Sequence, residues 1–290
     1  MSKVRCVYEA KAIVGECPRW NEHDQALYWT DIYRPTLNRF DPATGTNRSW
    51  DMPESVGCFA FRAHGGLIAG TRTGFAFVDL ESGTFERLHN PLPDHPDYRM
   101  NDGRCDAKGR FWAGSILETL DRPAGVLYRF DADLSCHEML SDLIVPNGLA
   151  FSPDGKTMYH SDSRQDYIWA CDYDVETGTF TNRRVFAENE ANEGRPDGAA
   201  VDAEGCYWIA NVQGWRVTRY TPEGRVDRVI GLPVQRPTMC AFGGADLSTL
   251  YVTSASYPIE QRFLAKQPLA GALFAVEVGV KGQIEHRFAG

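Results

Sequence analysis

Four polar residues stand at one phase of this chain, and their types are those that hold a hard cation. Glu16 sits in G-E-C-P, Asn101 in R-M-N-D-G, Asn147 in P-N-G and Asp197 in P-D-G. Each lies 11 or 12 residues ahead of an aromatic residue in a short apolar run: Tyr28, Trp112, Tyr159 and Trp208 in turn. Tripeptides of this kind mark turns wherever they occur, but turn residues have no reason to recur at one phase. A carboxylate, an amide oxygen and a second carboxylate make an all-oxygen donor set. Such a set suits one divalent cation of the Ca²⁺, Mg²⁺ or Mn²⁺ kind, Ca²⁺ foremost, better than a structural zinc. Zn²⁺ and Fe²⁺ stay as alternatives.

The elements that must position these groups form a repeat. Six short strands, ALYWTD from Ala26, GLIAGT from Gly66, RFWAGS from Arg110, TMYHSD from Thr157, CYWIAN from Cys206 and TLYVTS from Thr249, share an aromatic or aliphatic pair. Tyr28, Ile68, Trp112, Tyr159, Trp208 and Tyr251 form one column, spaced 40, 44, 47, 49 and 43 residues apart. These intervals match propeller blades, whose repeats run about 40 to 50 residues. Period-two alternation after each column strand, closed by D-P-x-x-G, D-x-x-x-G or P-E-G, gives hairpins. The fold predicted is all-β: a six-bladed β-propeller of four antiparallel strands per blade, one domain over residues 1–290. Open sheet edges force a ring to close, so the N-terminal strand VRCVYEA is expected to complete the last blade beside QIEHRF. The four phased polar residues then start the innermost strands and converge on one mouth of the channel. Val56 or Gly57 and Met239 hold that offset in the other two blades, so that side of the mouth is expected to be apolar.

Bulk composition excludes several classes. The net charge of −9, from 30 basic and 39 acidic residues, offers no footprint for nucleic acid or anionic lipid. No apolar run reaches the roughly 18 residues of a membrane span, and the N-terminus lacks a secretory apolar stretch. A cytoplasmic location is expected, as a monomer or weak homo-oligomer. The eight cysteines are scattered singly and read as buried fillers.

The strings GECP from Gly15, RMNDGRCDAKGRFWAG from Arg99, PNGLAFSPDGKTMYHSD from Pro146 and RPDGAAVDAEGCYW from Arg195 resemble the regucalcin and gluconolactonase family of six-bladed propeller lactonases. The resemblance runs through nearly the whole chain. It implies that Glu16, Asn147 and Asp197 bind the metal and that Arg99 and Asn101 contact the sugar. A carboxylate after the third column strand often reaches substrate in that family, and Glu118 is the nearest candidate. Cys17 replaces the second glycine of the family's usual G-E-G-P, which is expected to deny the backbone a glycine-only conformation.

The expected activity is metal-dependent hydrolysis of an aldono-1,4- or 1,5-lactone to the aldonic acid. Asp197 is the expected base beside a Lewis-acidic cation. No G-x-S-x-G elbow offers a serine nucleophile, and His160, next to Tyr159, reads as core. Two other activities stay open at this level: a calcium-dependent phosphotriesterase-like hydrolase, and a non-catalytic calcium- or partner-binding propeller.

Overall fold

The computed structural model describes residues 3–189 and 193–290. Its strands fall into six four-stranded antiparallel sheets. Blade 1 holds β2 (Gly15–Asn21), β3 (Ala26–Asp31), β4 (Thr36–Asp41) and β5 (Thr46–Asp51). Blade 2 holds β6 (Val56–Phe61), β7 (Leu67–Thr71), β8 (Gly74–Asp79) and β9 (Thr84–His89). Blade 3 holds β10 (Tyr98–Cys105), β11 (Phe111–Leu117), β12 (Gly125–Phe130) and β13 (Cys136–Leu143). Blade 4 follows with β14 (Pro146–Phe151), β15 (Thr157–Asp162), β16 (Tyr167–Asp174) and β17 (Thr179–Glu188), and blade 5 with β18 (Arg195–Val201), β19 (Tyr207–Val212), β20 (Arg216–Tyr220) and β21 (Val226–Gly231). Blade 6 joins β22 (Pro237–Gly243), β23 (Thr249–Ser254) and β24 (Leu273–Glu277) to β1 (Arg5–Tyr8) from the other end of the chain. The six expected column strands are β3, β7, β11, β15, β19 and β23.

Closure differs from expectation in its partner. β1 pairs with β24, Arg5 opposite Ala275 and Cys6 opposite Phe274, and not with QIEHRF. The 283–288 segment crosses the face opposite the polar mouth. Gln283 donates to Val201 O and Asp202 O, and Phe288 bridges to Arg62 and sinks into the core beside Phe61 and Phe130. Its alternation reflects anchoring of every second or third residue, whereas β24 offers β1 a full strand edge.

The core is a ring rather than a centre. Apolar clusters fill the layers between neighbouring blades: Trp112, Leu149 and Tyr173 between blades 3 and 4, Tyr159 and Tyr207 between 4 and 5, Trp208 and Phe242 between 5 and 6, and Trp20 and Tyr251 between 6 and 1. The channel axis is thereby left to polar groups. Two column tryptophans are also tied by polar bonds: Trp112 Nε1 donates to Asp106 and Trp208 Nε1 to Asp202, each Asp six residues earlier and fully buried.

Every innermost strand carries an irregularity near its mouth end. The register slips between Glu16 and Arg19, Val56 and Cys58, Met100 and Gly103, Asn147 and Ala150, Pro196 and Ala199, and Pro237 and Cys240. A bulge bends its strand and re-aims the side chains around it. Six of them at one level turn residues that would face a neighbouring blade toward the axis.

Candidate active site

A cavity of about 440 Å³ opens at that mouth, lined by Glu16, Arg99, Asn101, Glu118, Asn147 and Asp197 among others. All six residues singled out from the sequence are thus brought to one cavity. Four form a continuous hydrogen-bonded chain across three blades. Arg99 Nη1 donates to Asn101 Oδ1 at 2.9 Å, Asn101 Nδ2 to Asn147 Oδ1 at 2.9 Å, and Asn147 Nδ2 to Asp197 Oδ1 at 2.8 Å. Ser163 Oγ fixes the orientation of the Asn147 amide, because it donates to Pro196 O at 2.6 Å and so must accept from Asn147 Nδ2 at 2.7 Å. Asn147 Oδ1 therefore keeps a lone pair for a further partner. Glu16 Oε2 accepts the Cys17 amide at 2.9 Å.

Two carboxyls inside one cavity repel. Burial, with the charge of Asp197, pushes Glu16 well above the usual carboxylate range. Burial likewise pushes Asp197 up to about 8; Arg236 and Arg99 oppose this, and Asp102 deeper in the channel adds to it. A divalent cation held by both carboxylates would remove the repulsion, and the oxygen-only donors fit a hard ion.

The loops that present Glu16 and Asn147 are pinned from behind. Asp31, which ends β3, accepts the amides of Ile13 at 2.9 Å and Val14 at 3.0 Å, just ahead of Glu16. Asp162 does the same at the end of β15, accepting Ile144 at 2.7 Å and Val145 at 3.0 Å ahead of Asn147. Both aspartates stand in the strings ALYWTD and TMYHSD, so their shared phase was visible; what they hold was not.

Glu118 is committed to arginines. Its Oε2 lies 2.8 Å from Arg72 Nη2 and its Oε1 3.7 Å from Arg99 Nε. Cys17 corrects an expectation: its φ of 47° is in the left-handed region that favours glycine, so the backbone keeps the glycine-like conformation despite the side chain. The sulfur sits in a fitted slot, accepting from Phe59 N at 3.2 Å, and burial pushes the thiol up to about 11. His160 is core, stacked on Trp169 at 5.3 Å, and burial pushes it down to about 3.

The mouth is not apolar in blade 6. Met239 packs against Gly198, and the adjacent Thr238 lines the cavity with Arg236. The bulge in β22 moved the exposed position by one residue, which an offset count cannot detect. In blade 2, a Cβ on Gly57 would fall 2.2 Å from Met100 O, so close approach of two backbones leaves no room for a side chain there. Sequence reading also missed Tyr33, Ser163, Arg164 and Tyr257, from loops bordering the cavity, and Arg195, which opens β18. Only Arg195, inside R-P-D-G, had a motif to draw attention to it.

A six-bladed propeller with oxygen donors from three blades gathered at one end of its axis is the class that fold and site define. The chain belongs to the SMP-30/gluconolactonase/LRE-like family, whose model matches residues 14–256. It is 44% identical over 289 residues to a 6-deoxy-6-sulfogluconolactonase of Pseudomonas putida, covering 99% of each chain. It is 37% identical to regucalcin of Danio rerio, again over 99% of each. Among solved structures, a calcium-binding regucalcin from Agrobacterium tumefaciens superposes with a TM-score of 0.95 at 27% identity, covering 99% of this chain and 97% of that one.

Proposed function

We propose that this chain hydrolyses the ring ester of a sugar-acid lactone to the aldonic acid, with one divalent cation held by Glu16, Asn147 and Asp197. The observation that carries the reading is the chain of hydrogen bonds Arg99–Asn101–Asn147–Asp197 around two buried carboxyls in one cavity. The lactonase named among the relatives supports it. When bound, the cation supplies Lewis-acid polarisation of the ester carbonyl and balances both carboxylates. Calcium is the ion proposed, on the all-oxygen donors and on the calcium-binding neighbour.

Asp197 is the proposed base. Its carboxylate takes a proton from the attacking water while the water oxygen bonds to the carbonyl carbon. As the ring C–O bond breaks, Asp197 returns that proton to the departing alkoxide and is regenerated as the carboxylate. Arg99 and Asn101 hold the sugar hydroxyls, with Glu118 between Arg72 and Arg99 as a further acceptor, so the carbonyl faces the base. A cytoplasmic monomer or weak homo-oligomer is part of the proposal, and eight free cysteines agree with a reducing compartment.

The test is a pH-stat screen over glucono-, galactono- and arabinono-lactones, with Ca²⁺, Mg²⁺, Mn²⁺, Zn²⁺ and Fe²⁺ each added to chelator-treated protein. Cation-restored turnover of at least one lactone is expected. Turnover of a phosphotriester but no lactone, or cation binding with no turnover, would overturn the reading.

A further inference from the structure

The arginines around the cavity divide into two groups. Arg72 and Arg99, on the side of blades 2 and 3, share Glu118. Arg164, after β15, Arg195, opening β18, and Arg236, just before β22, line the cavity from blades 4, 5 and 6. Among the described residues none of these three makes an ion pair. The remaining acids of the lining, Glu16 and Asp197, are those a cation would balance.

Arg236 sharpens the contrast. It is half-buried, and its Nε, like that of Arg99, is buried with no hydrogen-bond partner, but unlike Arg99 it has no carboxylate among the described residues in ion-pair range. Burial holds its guanidinium below the usual range; Asp197 counters this, and the like charge of Arg195 adds to it. A desolvated guanidinium close to a second one is unfavourable unless an anion joins them. The chain carries 39 acidic residues, yet among the described ones none is paired with these three. Proximity to Asp197 explains Arg236 alone; it leaves Arg195 and Arg164 without a role.

We propose that Arg164, Arg195 and Arg236 form an anion subsite, and that the preferred substrate is a lactone bearing a sulfonate, phosphate or carboxylate on its exocyclic arm. Guanidinium forks match such oxyanions in geometry and charge. In a 1,5-lactone the carbonyl carbon and the carbon bearing that arm both bond to the ring oxygen. With the carbonyl at Asp197, the arm stays near the carbonyl end, where Arg236 feels the charges of both Asp197 and Arg195. The subsite rests on the lactonase reading for its chemistry, but not for binding.

Two measurements separate the claims. The first compares kcat/KM for glucono-1,5-lactone and its 6-phosphate, with 6-sulfonate and 6-carboxylate analogues as further arms. A preference of about tenfold or more for the anionic lactones is expected, shrinking with added salt. Arg164→Met and Arg195→Met should each reduce the anionic-to-neutral ratio, and the double variant should bring it close to one. Arg236→Lys, which keeps the charge but not the fork, should reduce it partly. A merely structural role would lower both rates together and leave the ratio unchanged. The second measurement is calorimetric binding of gluconate and 6-phosphogluconate to the calcium-loaded protein. Tighter binding of 6-phosphogluconate, lost in the double variant, supports the subsite even if no lactone is hydrolysed, an outcome that sinks only the lactonase reading. Lactone hydrolysis without discrimination between neutral and anionic substrates, or a ratio unmoved in the double variant, overturns the subsite and leaves the lactonase reading standing.

Discussion

At the scale of single residues, the proposed roles of Asp197 and Asn147 separate by charge. Asp197→Asn keeps an oxygen donor of nearly the same shape but cannot accept a proton. With the cation saturating, confirmed by titration, turnover should fall by about 10² to 10⁴. A loss below about tenfold would leave Asp197 a ligand only. Asn147→Asp does the opposite. It replaces the amide that donates to Asp197 Oδ1 at 2.8 Å with a second carboxylate. The cation-free variant should melt below the parent, and added Ca²⁺ should raise its midpoint by more than it raises the parent's, as differential scanning calorimetry would show. Asn101 joins the two roles that the sequence kept apart, because its amide touches the proposed ligand Asn147. Asn101→Ala should therefore weaken Ca²⁺ binding as well as turnover, by about 10- to 100-fold on the pattern of groups that orient a ligand. An unchanged calcium affinity by calorimetry would restore the sugar-only role.

These residues were legible because each sits in a turn motif at a fixed distance from a column aromatic. The arginines of blades 4 to 6 were not, since Arg164 and Arg236 sit in loops and Arg195 at the very start of β18, where a side chain reaches the cavity by its length and leaves no period. Met239 shows the same limit from the other side. Its offset was right and its direction wrong, because the register of β22 shifts between Pro237 and Cys240.

At the scale of elements, the column strands were legible almost to their ends, since each is an apolar run bounded by turn residues on both sides. The partner of β1 was not. QIEHRF alternates as a strand does, and only the three-dimensional path shows that Phe288 goes to the core while Glu285 turns to Arg104 at 3.2 Å. Removing residues 1–9 takes β1 from β24 and uncovers the packing of Val7 and Tyr8 on blade 6. The expected cost is about 2 kcal/mol, or roughly 5 °C in the melting midpoint; an unchanged midpoint would show that β1 does not close the ring. The aspartates that end β3 and β15 act through the strands they anchor. Asp162→Ala frees the amides of Ile144 and Val145 and should weaken Ca²⁺ binding through Asn147. Asp162→Asn, which keeps one acceptor, should recover part of that affinity.

At the scale of the whole molecule, charge is layered along the axis. Glu16 and Asp197 occupy the mouth, Asp102 lies deeper with its Oδ2 accepting the Leu149 amide at 3.0 Å, and Arg19 and Arg104 come below with Glu285 of the C-terminal segment. Although burial works against it, Arg104 and Arg19 hold Glu285 below the usual carboxylate range. The lower half of the axis is thus internally balanced and the upper half is not. Asp197 at about 8 retains in the cation-free native state a proton that an unfolded carboxyl releases near pH 4. Its contribution to stability is complete below about pH 4 and is lost as pH rises toward 8, because over that window the native state binds more protons than the unfolded chain. The cation-free melting midpoint should fall from pH 5 to pH 8, and Asp197→Asn, which has no proton to lose, should fall less. The proposed cation would take the place of those protons. Calcium binding at pH 6 should release about one to two protons per ion, read from calorimetry in buffers of different ionisation enthalpy, and its affinity should climb with pH and level off above about 8. Equal pH slopes for parent and Asp197→Asn, with no proton release, would mean that the two mouth carboxyls are already ionised in the cation-free protein and that the imbalance along the axis is met some other way.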